Sequence, residues 1–346
     1  MTAGRGDEAF LAAGGPARHV PVLRDEVMAA LAPREGGLYL DATFGAGGYS
    51  RALLALPGLR VLAFDRDPIT IAGGAELVNE AQGRLCLVQE KFGRLDLAAR
   101  ERGFSDFDGV VFDIGVSSMQ IDDAGRGFSF RGEGPLDMRM DRAGTSAADL
   151  VNTARETTLA NIFYYFGEER ASRRIAHAIV MDRAKAPFTS TVALASLIAR
   201  VAPGRAGEVH PATRVFQALR IAVNDELGEL VRALAAAEAL LKQGGRLAVV
   251  TFHSLEDRIV KQFFTERSGR GKTSSRRLPH ESEPPEPTFS QSGKQPVTPS
   301  PREIGANPRA RSAKLRHGVR TKAMPRGPGD RLMALAKLPQ DRPGSH

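Results

Sequence analysis

Two acidic residues and a glycine turn carry the first chemical signal. Asp41 ends the apolar run Leu38-Tyr39-Leu40, and Asp41-Ala-Thr-Phe-Gly45-Ala-Gly47-Gly48-Tyr49-Ser50 leads into helical sequence. Glycines let a backbone approach a ligand closely, and the start of a helix leaves N–H groups free to donate. About 20 residues beyond Gly45, Asp65 closes a second apolar run, Val61-Leu62-Ala63-Phe64. A carboxylate at that place can accept hydrogen bonds from both hydroxyls of a ribose, so the two signals together point to an adenosine-containing ligand. A dinucleotide site wants G-x-G-x-x-G, and Ser50 stands where the third glycine would fall. Asp41 would repel a pyrophosphate, whereas it could support the ammonium of a bound amino acid, directly or through water. Ribose at one end and an amino acid at the other describe S-adenosylmethionine. No G-x-x-x-x-G-K-[ST] is present, which disfavours a P-loop kinase or ATPase.

Two more strings sit where a sheet would deliver them to the same crevice. Asp113-Ile-Gly-Val-Ser-Ser-Met-Gln120 follows a fourth apolar run, and Phe252-His253-Ser254-Leu-Glu256-Asp257-Arg258 ends a fifth. Asp113 can reach the adenine amino group or the reacting centre, or it can cap its own loop. His253 is placed either near the substrate or in packing. Ser254-x-x-Asp257 reads as an ordinary capping box for the next helix. The seven histidines are scattered, with no H-E-x-x-H or Cys/His spacing, so no catalytic metal is expected. A serine nucleophile would want G-x-S-x-G, which is absent.

To gather these residues at one edge, five short apolar runs must lie side by side: 38–40, 61–64, 85–88, 109–112 and 247–252. Continuous apolar runs separated by helical patterns predict an α/β fold, a parallel sheet covered on both faces. About 130 residues separate Asp113 from Leu247, far more than one crossover needs. Residues 126–210 are therefore expected to be an inserted all-helical domain. Ser146-Ala-Ala-Asp149 is a capping box for one of its helices. A second runs from Glu168 to about Met181, with Ala171, Ile175, Ala178 and Ile179 on one face and Arg170, Arg173, Arg174 and His177 on the other. A third spans Thr189 to about Ala202. Pro211 then opens a long helix with the stripe Val215, Leu219, Val223, Leu227 and Leu230, which returns the chain to the sheet. The remaining expectations are a flexible N-terminus over 1–18, sheet-domain parts over 19–125 and 211–320, a Pro-rich basic loop over 268–306 and a flexible tail over 321–346.

Composition narrows the class. The apolar share is 42%, enough for a real core, and the single Cys86 rules out an internal disulfide or a cysteine-based zinc site. No apolar run approaches a membrane span. The N-terminus lacks the basic start and apolar block of a signal peptide, so the cytoplasm is the expected location. Of the 48 Lys and Arg, 16 lie in the last 79 residues, against 6 Asp and Glu, together with 12 of the 21 prolines. Such a tail binds polyanions or stays solvated.

The strings resemble a known family. His19-Val-Pro-Val-Leu-Arg-Asp-Glu26, the Asp41–Gly48 turn, Asp113–Gln120, Gly127-Phe-Ser-Phe130 and Gly134-Pro-Leu-Asp-Met-Arg-Met-Asp141 are similar to the bacterial small-subunit rRNA cytosine-N4 methyltransferases. So are His210-Pro-Ala-Thr-Arg-Val-Phe-Gln-Ala-Leu-Arg220, Thr251–Arg258 and Asn307-Pro-Arg-Ala-Arg-Ser312. The resemblance runs from about His19 to Arg320. It implies a class I methyltransferase fold (Rossmann-like) with an inserted helical domain, and S-adenosylmethionine as methyl donor. The implied substrate is the exocyclic N4 of a cytidine in the decoding region of 16S rRNA within the small subunit. Residue by residue it implies cofactor contacts at Gly47, Gly48, Tyr49, Asp65, Phe92, Asp113 and Gln120. The family often has His where this chain has Tyr49, a harmless change if the contact is made by backbone. A homodimer is left open.

Many DNA amino-methyltransferases carry an Asp/Asn-Pro-Pro-Tyr/Phe loop after the fourth strand, and Asp113-Ile114-Gly115-Val116 departs from it. Carbonyls of the Asp113–Ser117 loop are the first candidates to accept the N4 protons, and His253 is the second and the one catalytic side chain named. The alternatives are a DNA amino-methyltransferase, which lacks its usual loop here, a nicotinamide-dependent oxidoreductase, whose glycine pattern fits worse, and a non-catalytic RNA-binding protein, which needs no cofactor.

Overall fold

The computed structural model describes residues 21–204, 210–269 and 285–339. His19, the 1–18 segment, residues 270–284 of the Pro-rich basic loop and the last residues of the tail lie outside these.

Seven strands form one sheet: β1 (Leu38–Asp41), β2 (Arg60–Asp65), β3 (Leu85–Gln89), β4 (Phe107–Asp113), β5 (Leu241–Thr251), β6 (Phe289–Ser290) and β7 (Lys314–Arg320). Their order is β3-β2-β1-β4-β5-β7-β6. The first five are parallel, while β7 runs antiparallel to β5, and β6 to β7. This is a class I methyltransferase sheet. Helices cover both faces, so β4 is buried along nearly its whole length and its sequence is a continuous apolar run rather than an alternation. The order reverses between β1 and β4, and there the carboxyl ends of β1, β2 and β4 deliver Asp41, Asp65 and Asp113 to one edge.

One face packs on the Arg24–Leu31 and Gly48–Leu54 helices through Val27, Leu31, Tyr49 and Leu53. The other face carries the larger core, in which Phe64, Phe107 and Phe112 meet Leu230, Leu234 and Phe263. Between β4 and β5 lie the helices Ala147–Thr153, Glu156–Tyr165, Ser172–Arg183 and Thr191–Val201. Their buried side chains, Val151, Phe163, Ile179 and Ile198 among them, belong to the same continuous core. Ser146 and Asp149 form the capping box at the first of these helices. Among the described residues no helix is long and apolar enough to cross a membrane.

Four elements differ from the sequence expectation. The single long helix after Pro211 is two, Ala212–Asn224 and Glu226–Leu240. Asp225 between them is left-handed (φ 48°), and the Asn224 side chain turns aside to cap backbone groups of Met138 and Met140. The helix expected from Glu168 starts at Ser172, because Glu168 is left-handed (φ 51°) and the chain turns there. The helix after β5 is capped by His253 and Glu256, not by Ser254 and Asp257. The segment 321–339, expected to be flexible tail, includes the Asp330–Ala336 helix, whose Leu332 is buried on the main core.

Candidate active site

The glycine turn is built by its own acids. Asp41 is fully buried; its Oδ1 accepts the Thr43 N–H at 3.2 Å and its Oδ2 the Ser50 hydroxyl at 2.7 Å. Burial pushes its pKa up to about 6. Both oxygens thus fasten the turn to the following helix, and each retains acceptor capacity for a further donor. Gly47 caps that helix at φ 75°, a conformation that costs any other residue strain. A Cβ on Gly47 would lie 2.9 Å from the Phe44 ring, and one on Gly48 2.7 Å from Pro21. The Tyr49 ring is buried and its hydroxyl donates to the Val22 carbonyl, so towards a ligand it offers only its backbone N–H.

Asp65 is welded to this turn. Its Oδ2 accepts the Gly45 N–H and its Oδ1 the Asp67 N–H, both at 2.9 Å. Burial is the main reason its pKa is raised to about 6. Each oxygen retains acceptor capacity for a further donor. Gly45, at φ 53°, borders open space: a Cβ there would find its nearest neighbour at 3.9 Å. Phe92, three residues beyond β3, is half-buried with its ring edge-on to Phe112 at 6.2 Å.

Asp113 is the most perturbed acid of the site. Its N–H donates to Thr43 Oγ1 at 2.7 Å, while its Oδ1 is buried without a hydrogen-bond partner among the described residues. Desolvation, and then the charges of Asp41 and Glu256, push its pKa up to about 8. A raised carboxyl pKa means that the folded state holds its proton longer than the unfolded chain. Stability from this group is complete below about pH 4 and is lost as pH rises to about 8. Asp113→Asn is therefore expected to be more resistant to heat than the parent at pH 8–9, with the gap narrowing steadily towards pH 5. Thermal unfolding at a series of pH values checks this; a gap independent of pH would contradict it.

His253 lies at the end of β5, at the same edge as Asp113. Its Nδ1 accepts the Glu256 N–H at 3.4 Å, and its Nε2 sits 3.0 Å from Glu256 Oε1, off the line of a good hydrogen bond. Glu256 is fully buried and its other oxygen accepts the N–H groups of Phe252 and His253. Burial alone would raise the Glu256 pKa, but the facing His253 and then Arg220 hold it below the usual range. Glu226, His253 and Glu256 bring possible ligand atoms within 4.8 Å of one another. Both Glu226 oxygens are already held by Arg220 at 2.7 Å, so Glu226 is engaged in an ion pair.

Gln120 is buried and spends both ends of its amide on the protein. Its Oε1 accepts the Ser117 N–H, closing a capping box, and its Nε2 donates to Asp67 Oδ2 at 2.8 Å. There it meets a hub that sequence reasoning missed. Asp67 also takes the Arg126 guanidinium at 2.6 Å, with the two side chains 1% and 5% exposed. Arg126 caps the carbonyls of Arg139 and Met140, and Arg66 bonds Asp141 and the Asn224 carbonyl. Arg126 and the string Gly134–Asp141 thus tie the loop after β4 to the ribose-side loop after β2. A visible signal was their density of Asp, Arg and Gly without helical or strand periodicity.

The chemistry fits S-adenosylmethionine. A two-pronged acid stands beside a glycine with open space, an aromatic ring lies past β3, and Asp113 presents a buried acceptor with nothing to accept from.

The chain has clear relatives. A model described as the MraW methylase family matches residues 16–321. The protein called ribosomal RNA small subunit methyltransferase H in Methylocella silvestris is 72% identical over 340 residues, 98% of each chain. Its namesake in Beijerinckia indica is 70% identical, over 98% of this chain and 96% of that one. The one in Xanthobacter autotrophicus is 58% identical over 100% of this chain and 99% of its own.

Proposed function

The chain belongs to the MraW methylase family, and from that premise we propose that the atom it methylates is the exocyclic N4 of a cytidine in the decoding region of 16S rRNA. It is an S-adenosylmethionine-dependent methyltransferase of small-subunit ribosomal RNA. The observation that carries the reading is the unpartnered Asp113 acceptor one strand from the Asp65–Gly45 clasp.

When bound, S-adenosylmethionine supplies an electrophilic methyl group on a sulfonium. The protein's task is the nucleophile. The N4 lone pair of cytosine is delocalised into the ring, and acceptors on its two N–H groups favour the pyramidal nitrogen that attacks. Asp113 Oδ1 and the carbonyls of the Asp113–Ser117 loop serve as those acceptors, and Asp113 in its ionised form takes the proton released as the N–C bond replaces the sulfonium S–CH3 bond. Asp65 holds the ribose, and the N–H groups of Gly47, Gly48 and Tyr49 line the amino-acid end. Phe92 flanks the adenine, and Gln120, whose Nε2 keeps a second N–H to donate, contacts the cofactor from the loop after β4. His253 is the second candidate for the proton's exit. His253→Ala should lower turnover far more than affinity for S-adenosylmethionine; unchanged turnover would remove it from the mechanism.

The target base leaves its stack to reach this edge. The substrate is the small subunit or its 16S rRNA, met in the cytoplasm, and binding weakens with salt as phosphate contacts do. A homodimer is compatible with this site, which needs no second chain. The test is transfer of labelled methyl groups to small subunits from cells lacking the enzyme, followed by digestion to nucleosides. Label in N4-methylcytidine is expected; label in another nucleoside, or transfer to DNA in preference, overturns the reading.

A further inference from the structure

Aromatic side chains of this protein are mostly buried, and the chain has four tyrosines. Two are adjacent and exposed: Tyr164 (54%) and Tyr165 (42%), at the end of the Glu156–Tyr165 helix. Their rings stand edge to face, with centroids 5.0 Å apart. The chain then turns and runs back as the Ser172–Arg183 helix, and at that turn and the helix start Arg170, Arg173 and Arg174 are exposed. The two acids of the turn do not neutralise them. Glu168 accepts from the Ser254 hydroxyl at 2.9 Å and pairs with Arg258 at 3.1 Å, and Glu169 is buried with its carboxylate on the Ala171 N–H.

The Glu168 contacts also fix where this patch lies. Ser254 and Arg258 belong to the helix that starts immediately after His253. The tyrosine–arginine end of the hairpin therefore flanks the strand edge where Asp113 and His253 emerge. Exposed rings cost solvation unless something covers them, and guanidinium groups on the same hairpin end with no ion pair among the described residues select an anionic partner with flat faces. Single-stranded RNA has both: bases that stack on aromatic rings and phosphates that pair with arginine.

We propose that this hairpin end docks the unpaired rRNA nucleotides adjoining the target, with Tyr164 and Tyr165 stacking on bases and Arg170, Arg173 and Arg174 holding phosphates. The inference rests on the rRNA reading above and specifies how that substrate is held. A nucleotide that leaves its stack exposes the faces of its neighbours, and the tyrosines replace the lost stacking.

The test compares the full-length protein with Y164A/Y165A, Y164F/Y165F and R170A/R173A/R174A. S-adenosylmethionine affinity and thermal unfolding should be unchanged in all three, since these side chains lie on the surface of another element. Affinity for small subunits should fall about tenfold or more in Y164A/Y165A and recover in Y164F/Y165F, because stacking needs the ring and not the hydroxyl. The triple arginine variant should bind more weakly and show a salt slope shallower by roughly two. Parental affinity in Y164A/Y165A, or equal losses in the Ala and Phe pairs, overturns the docking surface. If the parent protein binds subunits but methylates no cytidine in them, the functional reading fails instead, and the docking result stands apart.

Discussion

Asp65→Ala is expected to lower affinity for S-adenosylmethionine by more than about a hundredfold, and Asp65→Asn by roughly thirtyfold. A hydrogen bond to a charged group contributes about 1.5–3 kcal/mol, and a ribose offers this carboxylate two hydroxyls. The alanine variant also loses the clasp on the Gly45 and Asp67 N–H groups, which leaves the glycine turn without its tether. The asparagine variant keeps one acceptor. Because burial raises the Asp65 pKa to about 6 in the ligand-free protein, affinity should also fall as pH drops below that value, close to tenfold per unit. Calorimetric titration from pH 5 to 8 reads both effects, and asparagine should abolish the acid limb. A variant that binds as the parent does would mean that the ribose is held elsewhere.

Arg126→Ala should be the most destabilising single change in the loop after β4. It removes the partner of a carboxylate only 1% exposed and uncovers the carbonyls of Arg139 and Met140. Breaking a buried pair on one side costs about 3–5 kcal/mol, because the remaining charge stays desolvated. For a chain of this size that lowers the melting temperature by about 4–7 °C. The pair D67N/R126M, which removes both charges, should recover much of that stability without recovering turnover. It restores no tie between the loop that carries Asp113 and the loop that follows Asp65. Calorimetric unfolding beside single-turnover methyl transfer separates the two effects; equal recovery of both would assign the hub to folding alone.

The sheet and its cofactor edge were readable because their signals are local. A parallel strand buried on both faces must be a continuous apolar run, and Leu38–Leu40, Val61–Phe64 and Val110–Phe112 are such runs ending in Asp41, Asp65 and Asp113. What escaped depends on partners far along the chain. In β7, Lys-Leu-Arg-His-Gly-Val-Arg looks like exposed basic coil, yet Arg316 is buried on Asp257 and Arg320 on the Glu238 carbonyl. Asp67, Arg126 and Asn224 form one hub from three distant stretches, and each alone is an ordinary polar residue. The sequence favours a cap one residue too late because Ser254-x-x-Asp257 and His253-x-x-Glu256 overlap. The second is chosen since Asp257 is drawn to Arg316 and Lys314. Asp41 stands at the turn, as its position after the first apolar run predicts. Its hold on the Thr43 N–H and the Ser50 hydroxyl depends on how the turn folds back, which the sequence alone does not show.

The central claim is that the methyl donor lies across the ends of β1, β2 and β4. A crystal structure of the protein with S-adenosylmethionine tests it most directly. Ribose hydroxyls hydrogen-bonded to Asp65, with the amino-acid end against the Gly47–Tyr49 backbone, is the predicted result. The nucleoside bound away from that edge, with Asp65 still engaging only Gly45 and Asp67, would contradict it.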